Sequence, residues 1–385
     1  MTSDPIENNS EQSGGDSKAW LFRILTWLLW LIGVLAVLIL FVLPVLGNWV
    51  LSSGYAPKSM PRLFKLLTVA QTWLMRILGV VWIFFIGSCF ASFLNVVAWR
   101  TPRGRSINGS SHCPDCDQRL GFDNVPIIGW IRNGGRCSNC RQPIPIRYLL
   151  VEILLGSLFL LIASVQLLSG GWNLPLRPLD RLTGFEHLKL DLISLTVYHL
   201  TLICLLFTFA LIKIESLKIP RRVWFVGLVL GFVMPLIWPT MNLVGWELGQ
   251  LKPLVFERGS FRQIMTLGLG LAVGIGFGMI LRHLRNTNEP EHPYVFQPTY
   301  ISEEIAGLSL VGLFLGWQSA VSVFLFSVVF LLLIRLLRLR WRFLGPSGCL
   351  LAATLLHLLC WRILTNCPYW PSGKSCSFAA MIGSI

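Results

Sequence analysis

Long apolar runs, broken by short polar segments dense in Lys and Arg, dominate the chain. Runs able to cross about 30 Å of hydrocarbon as helices lie near 20–45, 77–98, 148–168, 191–212, 223–240, 263–281, 319–337 and 347–364, with a shorter one at 305–317. None alternates with the period of two that a membrane barrel needs. The pattern predicts an all-α polytopic membrane protein with eight or nine transmembrane helices, the first of them a retained anchor because it lacks a small-residue cleavage site. By the same reading residues 1–19 are a disordered polar tail, 20–76 an extra anchor and linker, 77–152 a first membrane region with a polar loop at 100–147, 153–364 a polytopic domain and 365–385 a second tail.

Composition agrees: 54% of 385 residues are hydrophobic and 13% charged, more apolar surface than a soluble core could bury. The net charge of +14 is concentrated in loops. Residues 100–147 carry Arg100, Arg103, Arg105, Arg119, Arg132, Arg136, Arg141 and Arg147 against Asp115, Asp117 and Asp123, which predicts a cytoplasmic loop. Positive-inside sorting explains the charge better than nucleic acid does, so the expected partner is a lipid bilayer and no nucleic acid. Span counting places Lys213, Lys218, Arg221 and Arg222 on the same face, and the basic loop at 338–346 joins them if 305–317 crosses. The 46–76 loop, with Lys58, Arg62, Lys65 and Arg76, falls on the outside if 20–45 spans.

Within 100–147, CPDC and CSNC supply Cys113, Cys116, Cys137 and Cys140. Two CxxC knuckles at this separation can wrap a tetrahedral zinc, closed and structural because protein fills all four positions. Two disulfides or four free thiols are the alternatives, and a reducing cytoplasm disfavours the first. His112 adjoins the first knuckle and reads as an exposed loop residue. Cys89, Cys204, Cys349 and Cys360 fall in spans as small packing residues, while Cys367 and Cys376 lie in the C-terminal tail.

Several motifs occur in one order: SFLNVVAWRTPRGRSI (Ser92 to Ile107), CPDC, FDNVPIIGWI (Phe122 to Ile131), GGRCSNC (Gly134 to Cys140) and IRYLLVE (Ile146 to Glu152). Together they resemble the amino-terminal half of the type IV prepilin leader peptidase/N-methyltransferase family. FLGPSGCLLA (Phe343 to Ala352) is similar to that family's Phe-Gly-Pro-Phe-Leu-Ala stretch. The resemblance implies a polytopic enzyme of the bacterial inner membrane. Such an enzyme cuts the basic leader from type IV prepilins or pseudopilins at the cytoplasmic face with two aspartates, then methylates the new amino terminus with S-adenosylmethionine. Adjacent carboxylates cannot both ionise easily, so one keeps a proton while the other activates water.

Aligned on Pro220, the family's first aspartate becomes Lys213, its second acid Glu215 and its third Arg221. Aligned on FLGW (Phe314 to Trp317), ISEE (Ile301 to Glu304) stands where the family has Gly-x-Gly-Asp, so Glu304 takes the aspartate position and Ile301 and Glu303 replace glycines. A lysine at the first position would hold a nearby carboxylate ionised. The candidate catalytic residues are Glu215 and Glu304 as a shifted pair. Open beside that are methyl transfer alone and a peptidase-inactive adaptor for pilin-like or type II secretion partners. Glu215, Lys213 and Lys218 also fit a snorkelling interfacial cluster, and Glu152 is expected to brace Arg147 or another loop arginine.

Three weaker signals remain. GLGLAVGIGFG (Gly268 to Gly278) lies in an apolar span without a preceding strand, so it predicts close helix packing rather than nucleotide binding. His292 lies in a polar loop at 283–299. Trp20, Trp172, Trp317, Trp341 and Trp361 fit an interfacial belt.

Overall fold

Eight membrane-length or near-membrane-length helices run back and forth between two ends of the computed structural model, which describes residues 62–109, 111–113, 115–120, 125–175, 189–241, 260–286, 300–337 and 345–365. The expected span at 20–45 and both tails lie outside these residues. The chain divides at Gly79 into two units, of which the first is described only over the start of α1.

α1 runs Arg62–Arg100, so residues 62–76, expected as loop, are helical; leucine, arginine, lysine, alanine, glutamine and methionine, all good helix formers, carry the helix back without a Gly or Pro to stop it. The polar loop follows, with the short α2 at Ile128–Arg132. α3 (Ile146–Ala163) ends in a π turn at Ser164–Leu168. Beyond it come α4 (Leu190–Ile214), β1 (Ile219–Pro220), α5 (Arg221–Ile237), α6 (Ser260–Asn286), β2 (Tyr300–Ile301), α7 (Glu303–Leu315), α8 (Trp317–Leu336) and α9 (Pro346–Thr365). Six helical stretches among the described residues are long and apolar enough to cross a membrane: Trp73–Arg103, Ile146–Leu168, Leu190–Ile214, Gln263–Arg285, Trp317–Leu336 and Pro346–Thr365. The shorter α5 and α7 complete the alternation.

α7 is buried along nearly its whole length and lies at the centre, against α4, α5, α6, α8 and α9. Tyr198 of α4 stacks on Phe314 of α7 at 4.4 Å and donates to Gly231 O of α5 at 3.1 Å. α6 approaches α7 backbone to backbone. A Cβ on Gly270 would sit 2.1 Å from Gly312 O, one on Gly274 2.2 Å from Leu308 O and one on Gly278 2.6 Å from Ile305 Cα. The glycine-rich span is thus a packing face, as its sequence context predicts, with Gly268 and Gly276 facing open space.

Two short antiparallel strands, pairing Ile219 with Ile301 and Pro220 with Tyr300, gather the start of α5 and the start of α7 at one end of the bundle. Arg103, Arg147, Lys213, Glu215, Arg285, Glu303, Glu304 and Ser347 are linked by polar contacts at this charged end. At the opposite end Asn173 donates to Leu358 O at 2.6 Å, and Arg362 N donates to Asn173 O at 2.9 Å. Trp361 lies here too, but it is 1% exposed and contacts His199 and His357, so it belongs to the core and not to an interfacial belt. Trp172 is exposed, and Trp20 and Trp341 lie outside the described residues.

Candidate functional site

The four-cysteine loop is built from two similar turns. Cys113 N donates to Gln118 O and Asp117 N to Cys113 O, each at 2.9 Å; in the second turn Cys137 N donates to Gln142 O at 2.9 Å and Arg141 N to Cys137 O at 3.1 Å. Asp117 and Arg141, each directly after the second cysteine of its pair, share positive φ values of 56° and 59°. This left-handed residue turns the chain so that both thiols of a pair face the same point.

Cys113 Sγ lies 3.7 Å from Cys140 Sγ, and Cys116 Sγ 3.9 Å from Cys137 Sγ. All four sulfurs fall within 4.8 Å of one another. Sulfurs placed tetrahedrally at a Zn–S distance of about 2.3 Å would stand about 3.8 Å apart, so the cage has the size of a four-thiolate metal site. All four thiols are free, and the spacing rules out the disulfide alternative. Backbone N–H groups also point at the sulfurs. The N–H of Gln118, together with Asn139 and the neighbouring thiols, draws Cys116 down to about 7 against some burial. Cys140 receives the N–H of Gln142, yet burial and the other three thiols push it up to about 12. Four crowded thiols cannot all ionise without a cation, and a divalent ion would supply that charge. His112 is exposed, forms a bridge with Arg119 and stands apart from the four-sulfur group.

Glu152, predicted to brace an arginine, does something else. Its Oε2 accepts the backbone N–H of Ile127 at 2.7 Å. Ile127 has φ 63° and ψ −55°, and Ile128 N donates to Pro126 O at 2.6 Å, which makes a tight γ-turn around a β-branched residue. The buried carboxylate fastens this costly turn to α3. Trp130 of α2 lies over Gly135 and donates its Nε1 to Ile144 O at 3.2 Å, joining the turn to the second cysteine knuckle.

The arginine expected beside Glu152 goes to Glu215. Arg147 and Arg103 both ion-pair with that carboxylate, the latter at 3.3 Å. The Arg147 hydrogen bond, reinforced by the charges of both arginines, holds the Glu215 carboxyl below its ordinary range despite some burial. Glu215 is therefore a tie between the end of α4 and the loop flanks, rather than a solvated snorkelling group.

Glu303 and Glu304 open α7, where the helix dipole favours negative charge. Lys213 Nζ lies 3.5 Å from Glu303 Oε1, and Arg285 Nη1 lies 2.7 Å from the same oxygen. Ser347 donates to Glu303 Oε2 through its backbone N–H at 3.2 Å and through its hydroxyl. Arg285 Nη1 also lies 2.6 Å from Glu304 Oε1, though without hydrogen-bond alignment, and Glu304 is 0% exposed. The charges that act on Glu304 are those of Glu303, Arg285 and Lys213; those that act on Glu215 are Arg147 and Arg103. The two candidate catalytic carboxylates thus stand in separate ion-pair groups and do not hydrogen-bond each other. Glu303, which takes a glycine position of the motif, is the hub that sequence alignment passed over. Two successive acids at a helix start, with Arg282 and Arg285 closing the preceding apolar span, were the available signal.

Residues 85–165 match the Bacterial Peptidase A24 N-terminal domain family. A prepilin leader peptidase/N-methyltransferase of Myxococcus xanthus (strain DK1622) is 44% identical over 81 residues, covering 20% of this chain and 24% of that protein. A type 4 prepilin-like proteins leader peptide-processing enzyme of Escherichia coli O78:H11 is 37% identical over 108 residues, 23% of this chain and 40% of that protein. A prepilin leader peptidase/N-methyltransferase of Klebsiella pneumoniae is 39% identical over 87 residues, covering 20% and 38%. The chain thus spans between about a quarter and two-fifths of the length of these curated relatives, and no solved structure matches it. The matched segment contains the knuckles, the Ile127 turn and Glu152, and it is this segment that carries the chain's similarity to the prepilin leader peptidase/N-methyltransferases.

Proposed function

We propose that the protein handles the basic leaders of type IV prepilin- or pseudopilin-like substrates in the bacterial inner membrane. In this reading the four-cysteine loop is cytoplasmic and holds a structural zinc. The observation that carries it is the intact cage and pinned turn within the family-matched segment, beside a charged end in which Lys213 and Arg285 neutralise Glu303 and Glu304. A cation in this position favours ionised carboxylates and opposes the half-protonated acid pair that cleavage needs.

The activity this arrangement favours is leader recognition with methyl transfer from S-adenosylmethionine, and not aspartic cleavage. For Glu215 and Glu304 to cut as a pair, Glu215 would have to leave Arg103 and Arg147, and Glu304 would have to move from Arg285. A second reading, an adaptor without chemistry, is favoured by the same charge-balanced network. One experiment separates the three: the full chain in lipid nanodiscs is given an intact leader peptide, a pre-cut peptide and labelled S-adenosylmethionine, and binding, cleavage and methylation are scored separately. The expected result is binding without cleavage and with label on the pre-cut peptide. Binding alone would establish the adaptor. Cleavage lost on Glu215→Gln or Glu304→Gln would restore the shifted pair, and no binding would overturn leader handling altogether.

A further inference from the structure

α2 occupies a depth that a solvated loop would not reach. Glu152, which holds the N–H of Ile127, lies one and a half turns into α3 beyond Arg147, about 7 Å along the helix axis. Its side chain also meets Ser92, and its backbone carbonyl accepts from Ser88 Oγ at 3.1 Å. Ser92 lies two turns up α1 from Arg100, about 12 Å along that axis. Arg100, Arg103 and Arg147 mark the charged end of both helices, so the turn at Ile127 sits below that belt, inside two membrane-length helices.

At that depth α2 presents Ile128 and Ile131 outward, 58% and 63% exposed, one helical step apart on the same face. Trp130 points the other way, onto the metal loop. The backbone is equipped for lipid: Ile127 N donates to Glu152, Ile128 N to Pro126 O, Gly129 N to Val125 O and Ile131 N to Ile127 O. A segment in hydrocarbon needs these groups satisfied internally, while a solvated loop could leave them to water. Arg132, exposed at the end of α2, stands where phosphate headgroups would be.

We propose that α2 is a re-entrant foot whose Ile128 and Ile131 insert into the acyl region of the adjoining leaflet. An interfacial helix buries its apolar face about 5–10 Å deep, which agrees with the depth set by Glu152. The partner is the phospholipid bilayer. The foot holds the four-sulfur module against the membrane surface, and this placement is independent of which chemistry the charged end performs.

The test places a diazirine photo-crosslinking amino acid singly at 128, 131, 139 and 154 in the full chain, reconstituted in vesicles of anionic and zwitterionic phospholipid. Asn139 is exposed between the metal-facing cysteines, and Leu154 is exposed on α3 within the span. Metal content of each variant verifies that the loop has folded. The expected result is lipid adducts at 128, 131 and 154 and their loss at 139. Adducts at 128 and 131 consisting of water or protein, with 154 still capturing lipid, would overturn the proposal.

Discussion

A lysine where an acid is expected changes what its neighbours can do with a proton. Lys213 and Arg285 flank Glu303, and Ser347 donates to its other oxygen, so an almost fully buried carboxylate has cations and hydrogen bonds on both sides. Removing such a partner leaves a buried charge uncompensated, and Lys213→Met should be costlier than an exposed ion pair implies, by about 1–3 kcal/mol. The shift in thermal midpoint of the detergent-solubilised protein measures this; Glu303→Gln combined with Lys213→Met should recover part of the loss, since both charges then go together. Glu215 makes a different prediction. Its folded pKa is depressed, so its contribution is fully present above the unfolded value of about 4.3 and fades as the pH falls through the lower folded value. Because the pair is partly exposed, the effect is about 1 kcal/mol or less. Glu215→Gln should therefore lower the midpoint slightly at pH 7, by a margin that shrinks as the pH falls through the acid range. A deficit that does not shrink on acidification would mean the side chain acts by packing rather than by charge.

Helices were legible because an apolar run of membrane length admits few other structures, and the short α7 was legible because the charges of the basic loop at 338–346 favoured a short additional helix at 305–317. The contact that makes α7 central was half-legible. Glycines in the 268–278 stretch indicated close approach, but only Gly270, Gly274 and Gly278, on one face, meet α7, while Gly276 has open space beside it. This asymmetry is testable: Gly274→Leu must displace the Leu308 carbonyl and should cost about 1–3 kcal/mol by overpacking, whereas Gly276→Leu should be tolerated. Thermal midpoints and detergent extraction of the two variants compare them directly, and equal losses would show that the contact with α7 does not decide. The Ile127 turn was not legible at all. Isoleucine is among the residues least suited to positive φ, and the carboxylate that holds it comes from a different helix, so no local pattern announces it. The partner of Glu215 was missed for a related reason, since ion pairs between distant segments leave no spacing in the sequence.

At the scale of the molecule, two modules with different stabilities share one chain. The bundle is held by side-chain burial and by the glycine contact of α6 with α7. Among its described residues, the loop at 111–144 has few buried apolar residues apart from its own cysteines, and it depends on the cage and on the Glu152 tie. Four thiolates from two turns brought together by one ion make metal binding and loop folding the same event. Chelation should therefore release the loop and leave the bundle intact. Hydrogen exchange followed by mass spectrometry reads both at once: after metal removal, amides of 112–120 and 135–144 should lose protection, while those of 195–212 and 305–315 keep theirs. Residues 127–131 decide how the modules are joined. If Glu152 and the leaflet hold the foot, their protection survives chelation and falls in Glu152→Ala, which strips the N–H of Ile127 of its buried acceptor at a cost of about 1–3 kcal/mol. If protection there vanishes with the metal even when Glu152 is present, the cage supports the turn and the carboxylate only follows it.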